Sequence, residues 1–220
     1  TLVFPNSNSY SGGTSIKSGT TLRVMNASGS ATGNEQALVQ SGARLEGTGQ
    51  INRLTCASGG IVEPGVSAPG TPRVTIVANL QSGSKLRVKA TSKLPGGCAR
   101  LVTNFAQLAG TLEFSTTFTP ALGDSFVVLT CGSRTGTFKN ASLPALPSNR
   151  AWVLEHKPTA VVLRVVATVD VQPPAPPLTG LEQGAPIPSA HETTIAYALA
   201  KPGRVDLQVF DASGRRVATL

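Results

Sequence analysis

The chain has 220 residues, 40% hydrophobic but only 5% aromatic and 14% charged, with a net charge of +8. That length holds one large domain or two modest ones with a real core, and 23 Gly with 16 Pro is rich in turns without reaching a disordered composition. No stretch is apolar for long enough to span a membrane as a helix. The cations stand singly, Arg215-Arg216 being the only adjacent pair, which excludes the clustered, aromatic-interleaved pattern of nucleic-acid binding.

A repeated unit organises the first half. Ser18-Gly19-Thr20-Thr21-Leu22-Arg23-Val24 is followed by Ser41-Gly42-Ala43-Arg44-Leu45-Glu46-Gly47, Ser58-Gly59-Gly60-Ile61-Val62-Glu63-Pro64 and Ser82-Gly83-Ser84-Lys85-Leu86-Arg87-Val88. Ala109-Gly110-Thr111-Leu112-Glu113-Phe114 is a weaker fifth copy. Each copy predicts a turn at Ser-Gly, where glycine takes the positive φ that other residues resist, and then a strand. Period-2 geometry sends the Leu or Val inward and the following charge outward. The Gly-to-Gly intervals of 23, 17, 24 and 27 fit the perimeter of a solenoid coil, in which each turn adds a rung to a parallel stack. Helical periodicity is nearly absent.

The style changes at residue 120. Phe126–Thr130, Trp152–Leu154 and Ala160–Val166 predict longer apolar strands with hairpin-like spacing, a terminal sheet that caps the last rung over 120–168. Val171-Gln172-Pro173-Pro174-Ala175-Pro176-Pro177 predicts a stiff, extended linker over 169–188. Beyond it, strands are expected at Thr193–Leu199, Arg204–Asp211 and Arg215–Leu220, with turns at Lys201-Pro202-Gly203 and Ala212-Ser213-Gly214. Three strands do not complete a sandwich, so 189–220 reads as the start of an Ig-like domain. The start at Thr1 and the stop at Leu220 are expected of a mature or excised fragment.

Two resemblances follow from these residues. Asn8–Ile16 with its Tyr10-Ser11-Gly12-Gly13-Thr14 core, Gly29–Gly33, Leu45–Ile51, Glu63–Thr71, and Phe118–Phe126 with Thr135–Phe138 resemble, in order, the autotransporter-associated β-strand repeat of large bacterial surface and secreted proteins. Residues 1–168 are involved. The resemblance implies a right-handed parallel β-solenoid, 1–119, with no catalytic residues; the three cysteines depart from the family pattern. Residues 181–220 are similar to the C-terminal Ig-like sorting domain of type IX secretion cargo, kin to the flagellar hook-capping fold. Thr193–Leu199, Gly203-Arg204-Val205 and Val209–Leu220 carry that likeness, while Ala185-Pro186-Ile187-Pro188 replaces the usual opening.

The chemistry is sparse. His156 and His191 lie 35 residues apart in different expected domains, so no convergent metal site or nucleophile–base pair is expected. Pectin-cleaving solenoids set several Asp on adjacent rungs to serve as acid and base. Residues 1–116 contain Glu35, Glu46, Glu63 and Glu113 and no Asp. Glu46 and Glu63 occupy equivalent repeat positions and are expected to stack on one solvated face. Asp124 sits in a Gly-Asp turn. Gly12-Gly13 and Gly96-Gly97 lack the lysine and helix of a phosphate loop. Cys56, Cys98 and Cys131 match no zinc spacing; burial as small apolar side chains and a Cys56–Cys98 or Cys98–Cys131 disulfide both remain open.

The expectation is therefore an all-β, non-enzymatic structural or adhesive module of an exported bacterial cell-surface or secreted protein, with no catalytic, cofactor or metal residues. Its expected partners are a surface glycan or neighbouring cell surface, and the secretion machinery through the C-terminal domain. The alternatives are a carbohydrate-binding or carbohydrate-cleaving solenoid, for which Tyr10 and Trp152 are the candidate aromatics, and an accessory segment of a larger secreted enzyme.

Overall fold

The computed structural model describes residues 1–168, 180–181 and 197–219. They contain strands and turns but no helix. The chain divides into two compact units, Thr1–Val169 and Asp170–Leu220.

In the first unit the chain alternates between two sheets. One sheet takes β1 (Leu2–Phe4), β3 (Thr21–Val24), β5 (Arg44–Gly47), β7 (Ile61–Pro64), β9 (Lys85–Ala90), β11 (Thr111–Thr116) and β13 (Asn140–Ser142). The other takes β2 (Thr14–Ile16), β4 (Gln36–Val39), β6 (Gln50–Cys56), β8 (Arg73–Leu80), β10 (Leu101–Leu108) and β12 (Ser125–Gly136). Every neighbouring pair within these two sets is parallel, so the unit is a β-solenoid of about six turns. The parallel ladder runs on through β13 to Ser142, well past residue 120, because β12 keeps the register Leu101↔Leu129 and β13 the register Leu112↔Ala141.

The Ser-Gly corners stack. Gly19, Gly42, Gly59 and Gly83 all have φ between 73° and 78°. Each of the first three donates its amide to the carbonyl of the next, at 3.0, 3.0 and 2.9 Å. The serine of each corner fills the space above the following corner's glycine: a Cβ on Gly42 would lie 2.5 Å from Ser18 Oγ, and a Cβ on Gly59 or Gly83 would overlap Ser41 or Ser58 in the same way. Glycine is thus required twice, for its backbone angle and for the close approach of the rung before it.

Between the sheets lie rows of inward residues. Leu22, Leu45, Val62, Leu86 and Leu112 are register partners in one sheet, and none is more than 5% exposed. Val39, Cys56, Leu80 and Leu108 form a matching row in the other. Full burial of a leucine contributes about 1.5–3 kcal/mol, so stacked rows of them hold turns that could not stand singly. Cys56 sits in its row as a small apolar side chain. All three thiols are free, so neither disulfide forms.

Two further strands, β14 (Arg150–Lys157) and β15 (Ala160–Ala167), form an antiparallel hairpin whose second strand pairs antiparallel with β12, giving that sheet its eight strands. Val161, Leu163 and Val165 of β15 are buried. Phe114, Phe126 and Trp152 form an aromatic cluster, with ring centroids 5.4–6.0 Å apart, and Trp152 Nε1 donates to Pro144 O at 2.9 Å. The Arg134 guanidinium ties the hairpin to β12: it donates to the carbonyls of Lys157 (2.6 Å), Gly136 (2.5 Å) and His156.

In the second unit β16 (Gly180–Leu181) pairs antiparallel with β17 (Tyr197–Ala198), and β18 (Gln208–Phe210) with β19 (Arg216–Thr219). Asp211 builds the second turn, its Oδ1 accepting from Ser213 N (3.0 Å), Ser213 Oγ (2.6 Å) and Arg215 N (2.9 Å). The Arg204–Asp211 strand is shorter than expected, confined to Gln208–Phe210. Residues 169–179 and 182–196, with the proline run, Ala185–Pro188, His191 and most of Thr193–Leu199, lie outside the described residues, while Gly180–Leu181, inside the expected linker, form β16.

Candidate functional site

The outward charges of the repeat form a column on the seven-stranded sheet. Strand register makes Arg23 the partner of Glu46, Glu46 of Glu63, and Arg87 of Glu113. The expected stacking of Glu46 on Glu63 is therefore what the fold produces. Two like charges at a sheet spacing repel. Arg44, two residues before Glu46 and on the same face, relieves this by reaching both carboxylates, at 3.8 and 3.4 Å.

The pairing continues along the column. Arg23 binds Glu46 at 2.7 Å, Arg87 binds Glu63 at 3.4 Å and Glu113 at 3.0 Å, and Lys85 binds Glu113 at 2.6 Å. Glu46 is the most enclosed of these side chains, 8% exposed, so the expected solvated face is closed over at this rung by Arg23 and Arg44. Burial alone would raise the Glu113 carboxyl, but hydrogen bonds from Lys85 and Arg87, with their charges, outweigh it and hold it below the usual value. A single exposed ion pair is worth about 0–1 kcal/mol; a linked series with each carboxylate shared between two cations gains geometry that isolated pairs lack.

Chemically this column is a closed set. Glycoside cleavage needs one carboxyl free to protonate a leaving group and a second facing a water or the sugar. Glu46, Glu63 and Glu113 instead each face two cations. Glu113 is the outward charge of the weaker fifth copy, whereas Arg44 and Lys85 were not expected as members. The signal for them was present, since Arg44 and Lys85 stand two residues before Glu46 and Arg87 and so share their face.

The remaining candidates are dispersed. His156 Nε2 accepts the Phe138 amide at 3.1 Å, and burial, with Arg134 nearby, pushes its pKa down. Trp152 is engaged in the aromatic cluster. Tyr10 is exposed, its hydroxyl 2.5 Å from Thr14 Oγ1, on a different rung. Asp124 accepts from Ala121 N at 2.7 Å and pairs with Lys93 at 3.1 Å, which makes it a turn residue. Burial pushes the Cys56 thiol up to about 12 and the Cys98 thiol up to about 11, where neither is a nucleophile at neutral pH. Among the described residues no three His, Cys, Asp or Glu side chains converge as a metal site would require. No described helix is long and apolar enough to cross a membrane.

The fold and this surface define a β-solenoid with an ion-paired outer column. No protein-family model matches the chain, and no curated protein matches it.

Proposed function

We propose that this chain is a non-catalytic structural or adhesive module of an exported bacterial cell-surface or secreted protein. The observation that carries the reading is the closed ion column: the repeat spends its outward charged positions on holding rungs together. A stack tied by a glycine ladder, buried rows and an ionic column resists local opening, which suits a spacer or display scaffold.

The resemblance to autotransporter-associated repeats supports export and a right-handed coil. Under this reading the β14–β15 hairpin is a cap that closes the β12 edge, where unpaired backbone would otherwise recruit other strands. The proline-rich stretch serves as a linker, and 189–220 as the beginning of an Ig-like type IX sorting domain.

The test uses the full chain. Trypsin, whose first site after Arg164 is Arg204 because Lys201 precedes Pro202, should release residues beyond Arg204 while leaving the solenoid intact for hours, and a panel of plant and microbial polysaccharides should release no reducing sugar. Turnover that disappears in Glu46→Gln or Glu63→Gln would overturn the reading.

A further inference from the structure

A cleft of about 250 Å³ opens where residues 91–97 leave the solenoid between β9 and β10. The excursion is pinched at its base: Thr91 N donates to Gly97 O at 2.7 Å, and Gly97 N to Leu94 O at 2.9 Å. Gly97 is packed so tightly that a Cβ there would overlap Ser92. The loop thus stands as a built wall. The opposite wall is the start of β12, and Thr71, Ser92, Lys93, Cys98, Arg100 and Ser125 line the space between.

Arg100 sets the chemistry. Its backbone is fixed by a 2.9 Å bond from its amide to Gly70 O, yet its side-chain Nε is buried and has no hydrogen-bond partner. No carboxylate among the described residues pairs with it, whereas the arginines of the outer column all have carboxylates. The Nε is enclosed, so an acceptor in the cleft would meet the outer nitrogens of this guanidinium, which lines the cleft with no carboxylate on it. Lys93 adds a second cation at the rim. The nearby carboxylate, Asp124, is already shared between Lys93 and the Ala121 amide. Burial keeps the Cys98 thiol neutral, so the floor does not repel an anion.

The volume is slightly below the range of small-ligand pockets, roughly 300–1,000 Å³, and suits one group in place of a polymer segment. Three hydroxyls, from Thr71, Ser92 and Ser125, lie alongside the two cations and match the mixed character of a charged sugar. We propose that this cleft is a subsite for the carboxylate or sulfate group of an acidic saccharide, with Arg100 as the anion's principal donor and Lys93 as its rim charge. Occupancy of this cleft does not depend on the scaffold role proposed above; a spacer without it would still be a spacer.

The test is calorimetric and NMR titration of the full chain, at fixed ionic strength, with glucuronate, glucose 6-sulfate, glucose and sodium sulfate. At least one acidic sugar should saturate, bind about tenfold more tightly than sodium sulfate, and shift the amides of residues 91–100; glucose should not bind. Arg100→Gln should weaken binding about tenfold, the loss of one charge-assisted donor, and Lys93→Gln by a smaller factor. Lys89→Gln, outside the cleft, should leave it unchanged. Lys93 is exposed, so its variant keeps the test valid if Arg100→Gln loses folded structure by circular dichroism. Absence of saturable binding by both acidic sugars, sodium sulfate binding as tightly as either, or binding unaltered in Lys93→Gln and in folded Arg100→Gln, would each overturn the proposal.

Discussion

Replacing a corner glycine with alanine separates two costs that the structure assigns to different rungs. Gly19 and Gly59 have nearly the same backbone, φ 76° and 77°. A Cβ on Gly19 meets nothing within 4 Å, whereas a Cβ on Gly59 would overlap Ser41 Oγ and lie 3.1 Å from Ser41 Cβ. Gly19→Ala should therefore cost only the left-handed conformation, about 1–2 kcal/mol. Gly59→Ala should cost that plus overpacking, a further ~1–3 kcal/mol. At about 3 °C per kcal/mol for a chain of this size, the difference is well resolved in thermal melts followed by circular dichroism. Fraying of the first turn would also lower the cost at Gly19, so the decisive arm is a double-mutant cycle. Ser41→Ala removes the Oγ that Gly59→Ala strikes, and the pair should show a favourable coupling of about 1 kcal/mol or more. Equal losses at Gly19 and Gly59, with no coupling to Ser41, would refute the stacking argument.

Three other outcomes are expected. His156 has a folded pKa below its ordinary value, so the unfolded chain binds the proton first; stability should decline as pH falls below about 6.5 and level off once the folded pKa is passed. His156→Gln, an uncharged acceptor for the Phe138 amide, should flatten that decline in urea titrations at pH 7 and pH 5, and an unchanged slope would assign it to another group. Glu46→Ala leaves Arg23 without a carboxylate and Arg44 with Glu63 alone, and should destabilise by about 1–3 kcal/mol, less at high salt; a loss insensitive to 1 M sodium chloride would mean the column is packing and not charge. Cys56→Ala should cost about 1 kcal/mol or less, and Cys56→Ser, whose hydroxyl would stand beside Ser84 Oγ and the Lys85 backbone, should cost no more, measured by denaturation. A loss in Cys56→Ser well beyond that in Cys56→Ala would show that the hydroxyl meets neither partner.

Much of this fold was legible because its units are local. A Ser-Gly corner, an inward Leu22 or Leu86 and an outward Arg23 or Arg87 are all set within a few residues, so turn and face could be read without knowing the neighbours. What joins rungs is not local. Loop lengths decide which residue falls beside which, and the intervals of 23, 17, 24 and 27 hide the register. Glu46 beside Glu63 could be anticipated from equivalent repeat positions, but Arg44 reaching across to both could not. The same limit hid Arg100, whose lack of a carboxylate partner depends on what three separate segments bring to one cleft. The change of strand style near residue 120 was real as sequence, yet the parallel register tolerated it, since β12 is long enough both to continue the stack and to receive β15.

The glycine ladder has a consequence for how such a chain can change. Adjacent rungs meet at a fixed spacing of about 4.8 Å whatever lies between the corners. The segment from Gly42 to Gly59 spans 17 residues and that from Gly83 to Gly110 spans 27, yet both close one turn of the same stack. Insertions between corners therefore leave the frame undisturbed and emerge on its flank, as residues 91–97 do. A lineage built on this plan can graft new recognition surfaces onto one side of the rod without renegotiating its interior.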